Sequence, residues 1–234
     1  MGKDKQINTP VAIIVAGFLV MTGIIITGGF KCNCQEIGPK TLSEEVGITK
    51  DDLTKCIEEK DLDTLKERIE ASVSGAVVNV PKNQRGTPYS IIVGANGFKT
   101  EIRGARQPEQ IKELIAEVNS GEVTDPYEGD LVVSEEGDRI NGNPDAPIKI
   151  ITYSDLECPH CAKLNEYLKQ IVLESDGQVA TVFRHWPMHQ NSFTKLVAAE
   201  CVGDLLGNEA YFQYIDLIFG LMTEGEEDSI EDIL

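Results

Sequence analysis

The chain has 234 residues, 41% of them hydrophobic, and 39 acidic side chains against 21 basic ones give it a formal net charge of −18. That length suits a membrane anchor followed by one domain of ordinary size. Such acidity argues against nucleic acid as a partner, because the phosphates would repel the surface.

Residues Val11 to Phe30 are almost wholly apolar and uncharged, close to the length a helix needs to cross a bilayer core. Lys3 and Lys5 precede them, so the N-terminus is expected to stay cytoplasmic and the rest to be exported. Phe30-Lys31-Cys32 lacks the small residues of a lipoprotein cleavage box, and no small-x-small site is evident. The reading is therefore an uncleaved single-pass anchor over residues 11–30, rather than a cleaved signal peptide or a buried core helix. Residues 1–34 form the cytoplasmic end, the anchor and the juxtamembrane Cys32-Asn33-Cys34; residues 35–234 form the domain. For Cys32 and Cys34 a strained vicinal pair, a lipidation or metal site, and two plain thiols all stay open. Export also lets disulfides persist, so Cys56 and Cys201 can form a bridge or remain buried thiols.

Thr41 to Ser74 reads helical, with Thr49 an N-cap before Lys50–Glu59 and Asp61 a cap for a helix through Ala71. Gly86-Thr87-Pro88 leads into a strand over Tyr89–Val93, Ala95-Asn96-Gly97 signals a hairpin turn, and Lys99–Arg103 is the partner strand. Gln107-Pro108 opens a helix over Glu109–Val118 with Ile111, Leu114, Ile115 and Val118 on one face. Residues 120–146, rich in Gly, Pro, Asp and Glu, read as a linker with a short strand at Leu131–Ser134. Ile148–Tyr153 is a β-rich run, Ala162–Leu173 is apolar at helical spacing, Val179–Arg184 is a strand, and Ser192–Leu234 is helical again. The acidic run Glu224–Asp232 reads as a solvated tail.

Chemistry concentrates in Cys158-Pro159-His160-Cys161, between the Ile148 strand and the helix that follows. Two cysteines three residues apart at a helix start share a face and can alternate between dithiol and disulfide. Strand, turn and a cysteine opening a helix is the context in which this spacing reads as redox. Cys158 falls at the N-cap and Pro159 at the first helical position, where a missing N–H costs nothing. Unpaired N–H groups and the helix dipole then favour a thiolate at Cys158. A protonated His160 would add to this, whereas Asp155 and Glu157 would oppose it. Cys161, one turn further in, is the resolving thiol. The competing reading, half of a zinc knuckle, needs a second pair of ligands, and no further Cys-x-x-Cys or His-x-x-x-His occurs.

Three runs carry a resemblance: Gly142 to Pro147, Tyr153 to Cys161, and Phe183-Arg184-His185-Trp186-Pro187. They resemble bacterial DsbA-type thiol–disulfide oxidoreductases of the thioredoxin-fold superfamily. Ala199-Glu200-Cys201 before Tyr211-Phe212 is similar to that family's helical insertion, and Gly86-Thr87-Pro88 with its hairpin and Gly104-Ala105 is similar to its C-terminal half. The order is reversed: residues 35–119 correspond to the family's C-terminal half and residues 147–234 to its N-terminal half. The resemblance thus implies an α/β thioredoxin-like fold with a helical insertion, circularly permuted and preceded by one transmembrane helix. Fragments of two adjacent domains and a domain-swapped dimer are the rival arrangements.

The resemblance also implies roles. Cys158, Pro159, His160 and Cys161 form the catalytic motif; Thr87 and a cis Pro88 contact an extended substrate; Cys56 and Cys201 pair as a structural disulfide; no metal or cofactor takes part. His185 and His189 have structural roles. Thr152 departs from the family, in which a buried glutamate often stands six residues before the first active cysteine and aids proton movement. The expected function is a membrane-anchored extracytoplasmic oxidoreductase that introduces disulfides into reduced exported proteins, with a membrane quinone-linked partner to reoxidise it. A disulfide isomerase or reductase, and a non-catalytic binding module, are the alternatives.

Overall fold

The computed structural model describes residues 41–224. The anchor expected at 11–30, Cys32 and Cys34, and the acidic tail beyond Glu224 lie outside the described residues. Among the described residues no helix is long and apolar enough to cross a membrane.

Local chemistry starts each helix. Thr41 caps α1 (Leu42–Glu45) through a capping box with Glu44, and Thr49 caps α2 (Lys50–Glu59) by accepting from the Asp52 N–H. Asp61 caps α3 (Leu62–Ala76), accepting from the Thr64 N–H, and the helix runs five residues beyond the expected Ala71. In each case a side-chain oxygen satisfies an N–H that has no partner within the helix. A 3₁₀ turn at Lys82–Gln84 then leads to β1 (Tyr89–Gly94) and β2 (Lys99–Arg103). Their hairpin turn needs Gly97, whose φ of +85° suits a residue without Cβ. Asn96 ties this turn to α4 (Pro108–Ser120), donating to the Val118 carbonyl at 2.8 Å. Next come β3 (Arg139–Asn141), β4 (Ile148–Ser154), α5 (Pro159–Glu174), β5 (Val179–His185), α6 (Ser192–Leu206) and α7 (Asn208–Glu224).

One expectation is corrected. No strand forms at Leu131–Ser134: Leu131 and Val133 lean on the core under β1 and β4, and the Val132 carbonyl accepts from Arg184 at 2.8 Å. The edge position beside β5 goes instead to β3, paired antiparallel from Arg139 opposite Phe183 to Asn141 opposite Thr181. The helical pattern from Ser192 holds through Glu224 and divides into two helices. Gly207, at φ +90°, ends α6, and α7 begins at the next residue.

The five strands form one sheet in the order β2-β1-β4-β5-β3. β4 and β5 are parallel, and the other neighbours are antiparallel. β1, which precedes β4 in sequence by a helix and the whole linker, lies directly beside it, with Tyr89 opposite Tyr153 and Ser90 opposite Thr152. Both segments therefore belong to one sheet in a single chain.

Apolar residues fill three regions. One side of the sheet meets α4 and α5 through Ile92, Ile150, Ile111 and Leu164. The other meets α3 through Ile91, Ile151, Val73 and Val77. The helices α1, α2, α6 and α7 enclose a third region that includes Leu53, Leu196, Tyr211, Tyr214 and both Cys158 and Cys161. Each fully buried large side chain contributes about 1.5–3 kcal/mol. The linker is strapped across the α3 side. Tyr127 donates to the Ala76 carbonyl at 2.9 Å, the Asp130 N–H to Gly75 at 3.2 Å, and Arg68 to the Glu136 carbonyl at 2.9 Å.

Candidate active site

Cys158 is the N-cap of α5 and Pro159 its first residue. The backbone at φ −95° and ψ 117° is extended, so the chain leaves the sheet at Ser154 and turns through Asp155–Glu157 into the helix. The Cys158 carbonyl accepts from the N–H groups of Cys161 at 2.9 Å and Ala162 at 3.1 Å. Both thiols are free in this structure and buried, whereas Pro159 and His160 are exposed.

The two sulfurs are strongly unlike. A hydrogen bond from the Cys161 thiol is the largest effect on Cys158; burial opposes it, and the N–H groups of Cys161 and His160 and a bond with Thr87 reinforce it. Together they pull the Cys158 thiol down to about 5. His160 acts here through its backbone N–H. Cys161 moves the other way, raised first by burial and then by its bond to Cys158, so it stays protonated. Two partners steady it: the Asp155 N–H reaches its Sγ at 3.4 Å, and Ser154 bonds to it through its side chain.

Thr87 and Pro88 come to this site at the start of β1. The Thr87–Pro88 bond is cis, and Cys158 Sγ lies 3.6 Å from the Thr87 carbonyl oxygen. Beneath, Ser90 and Thr152 share a short hydroxyl pair of 2.5 Å, because the register sets them opposite one another. Thr152 is thus a buried neutral group with a neutral partner.

Cys56 and Cys201 form a disulfide, with Cα atoms 5.9 Å apart, between α2 and α6. His185 lies in a buried polar cluster: its Nε2 is 3.0 Å from the Tyr211 hydroxyl and 3.3 Å from Glu200 Oε1. Arg139 completes the cluster at 3.0 Å from Glu200. On the other side of β5, Arg184 is held by Asp138 at 2.9 Å and by the Tyr153 hydroxyl at 3.0 Å. Both clusters flank β5, one through His185 and the other through Arg184, and neither includes a cysteine sulfur.

Sequence reasoning underrated Asp155. It appeared only as a charge opposing the thiolate, yet it is the hub of the turn. Its Oδ1 accepts from the Glu157 N–H at 2.7 Å and the Ser192 hydroxyl at 2.5 Å. Its Oδ2 accepts from the N–H groups of Met188 at 2.5 Å and His189 at 3.0 Å, and lies 2.9 Å from His189 Nδ1. Burial alone would raise this carboxyl, but the bonds from Ser192, Glu157, Met188 and His189 outweigh it and hold the group below the usual range. The available signal was an acid directly after the strand Ile148–Ser154 and three residues before Cys158, with donors supplied from Met188–Ser192 far along the chain.

Residues 134–232 match the family model described as Thioredoxin. Similar curated proteins include the Na(+)/H(+) antiporter NhaA 1 of Mycobacterium sp. (strain KMS), 34% identical over 71 residues, which are 29% of this chain and 12% of that protein. The protein of the same name from Salinispora arenicola (strain CNS-205) is 29% identical over 102 residues, 42% of this chain and 15% of that protein. The chain therefore spans only 12–15% of the length of these relatives. Among solved structures, alpha-DsbA1 of Wolbachia pipientis is 23% identical over 44% of this chain and 51% of that one, with a TM-score of 0.37. Residues 134–232, which include the Cys-x-x-Cys pair that opens α5, are thus similar to the thioredoxin family.

Proposed function

We propose that the protein is a thiol–disulfide oxidoreductase that donates disulfides to reduced exported proteins. The observation that carries this reading is geometric: Cys158 caps α5 with its Sγ 3.6 Å from the Thr87 carbonyl, and Cys161 lies one turn inside, its Sγ met by the Asp155 N–H, an arrangement that favours thiolate at Cys158 and thiol at Cys161. A stabilised thiolate favours the reduced enzyme, and a pair that prefers to be reduced oxidises others. In the oxidised enzyme a substrate thiolate attacks Cys158, Cys161 leaves, and a second substrate thiolate displaces Cys158 from the mixed disulfide. Thr87 and Pro88 offer an extended backbone against which the substrate strand lies.

The domain is read as a circular permutant whose C-terminal and N-terminal family halves have exchanged order, joined by residues 120–146. The pairing of β1 with β4 in one chain, and a linker fastened along α3, support that reading. It also accounts for a family match confined to residues 134–232. Permutation is tolerated where the joining linker is adequate and the new ends are exposed. The apolar stretch at 11–30 supports a membrane anchor with the domain on the extracytoplasmic side, where a quinone-linked membrane partner would reoxidise Cys158 and Cys161.

The test is oxidation of a reduced dithiol peptide by the disulfide form of the protein. Stoichiometric appearance of the peptide disulfide, lost in Cys158→Ser, is the expected result. No transfer from the fully oxidised protein overturns the reading.

A further inference from the structure

His189 is half-exposed and close enough to Cys158 to feel its charge, and its ring is anchored to a fully buried carboxylate, Nδ1 lying 2.9 Å from Asp155 Oδ2. The same carboxylate accepts the His189 and Met188 N–H groups, so both ring and backbone of this residue are fixed. Asp155 is itself joined to both cysteines: its N–H reaches Cys161 Sγ at 3.4 Å, and its carbonyl accepts the Cys158 N–H at 3.1 Å. With Nδ1 held by the acid, Nε2 is the nitrogen that can exchange a proton with solvent or substrate.

We propose that His189, oriented by Asp155, is the proton acceptor for the substrate thiols during disulfide transfer. The inference rests on the oxidoreductase reading above. Its chemical need is plain: the attacking species is a thiolate, whereas a cysteine with pKa about 8.5 is only about 3% ionised at pH 7. Thr152 of β4, bonded to Ser90, is neutral and offers no base of its own.

The proton balance closes. The first substrate thiol passes its proton to Nε2, and its thiolate attacks Cys158 Sγ. The Cys158–Cys161 bond breaks with its electron pair on Cys161, which takes up one proton. The second substrate thiol likewise gives its proton to Nε2 and attacks the substrate sulfur of the mixed disulfide. Cys158 then leaves as thiolate. The substrate loses two electrons and the enzyme pair gains them; one substrate proton ends on Cys161 and the other passes through Nε2 to solvent.

The charged groups around His189 suit this work. Asp155, the largest influence, raises its affinity for a proton, and Cys158 and Glu157 act in the same direction, while burial opposes. Glu157 is partly offset by Lys195 of α6, 3.5 Å away.

The experiment measures single-turnover oxidation of a reduced dithiol peptide by the full chain in detergent, from pH 6 to 9, for wild type and His189→Gln. The variant is expected to be about tenfold slower near pH 7, within a ceiling of roughly 30-fold set by the ionised fraction, and to match wild type near pH 9. The redox potential of the Cys158–Cys161 pair, which couples to His189 only through the charge on Cys158, shifts too little in the variant to account for the rate deficit. A deficit of equal size at every pH, no deficit, or a potential change that accounts for the rate overturns the proposal. If His189→Gln does not fold, His189→Asn, whose amide can donate to Asp155 in place of Nδ1, must give the same pH-dependent deficit. A wild-type protein inert at all pH values instead overturns the oxidoreductase reading itself.

Discussion

Cys158 Sγ lies 3.6 Å from the carbonyl oxygen of Thr87, although 71 residues separate the two in the chain. One residue opens α5, and the other precedes β1; the antiparallel pairing of β1 with β4 brings them together. The site is therefore a property of the assembled sheet, and its reactivity should fail whenever that pairing fails.

The unequal thiols predict selective alkylation. In the reduced protein, Cys158 should react with iodoacetamide along a titration curve centred near pH 5, far below the ordinary value of 9.0, while Cys161 stays unmodified until the protein unfolds. Because the folded-state value is depressed, the thiolate's contribution to stability is fully present above pH 9 and is lost as pH falls through about 5. Mass spectrometry of the alkylated protein against pH checks both statements.

Removing the bridge should weaken the fold without retuning the site. The Cys56–Cys201 link spans 145 residues, so Cys56→Ala with Cys201→Ala should cost about 2–5 kcal/mol in denaturant unfolding. The potential of the Cys158–Cys161 pair should remain as it was, since the bridge joins α2 to α6 away from both sulfurs.

Glu200 should govern part of the acid stability. Burial would raise this carboxyl, but His185 and Arg139 overcome it and bring it down to about 2 from 4.5. With the folded value depressed, its stabilisation is complete above pH 4.5 and disappears as pH falls through about 2. Glu200→Gln should flatten that part of the stability–pH curve and cost about 3–5 kcal/mol near pH 7, because Arg139 and His185 lose a buried partner.

Gly75 tests whether the linker strap matters. A Cβ there would stand 2.6 Å from the Asp130 carbonyl oxygen, a backbone atom that can yield only by lifting the strap. Gly75→Ala should destabilise by about 1–3 kcal/mol and increase proteolysis within residues 126–133, read by limited digestion.

Much of this architecture was legible in the sequence, and for identifiable reasons. Helix starts at Thr49, Asp61 and Pro108 and the turn at Gly97 depend on neighbours within a few residues, so local chemistry specifies them. The Cys158-Pro159 helix opening is legible for the same reason. The short strand was misread because Leu131 and Val133 are apolar for packing under the sheet, whereas β3 is chosen by the free edge of β5, which no local pattern reports. Asp155 was misread because its partners Met188, His189 and Ser192 arrive from more than thirty residues away. The helix break at Gly207 was overlooked because apolar residues continue on both sides of it and a single glycine does not announce its φ.

The assembled, thiolate-stabilising site is proposed to make this protein an oxidant of other thiols. Equilibration of the Cys158–Cys161 pair with glutathione buffers tests it most directly. The account predicts a potential near that of strong disulfide donors, about −120 mV, and a value near thioredoxin's, about −270 mV, would contradict it.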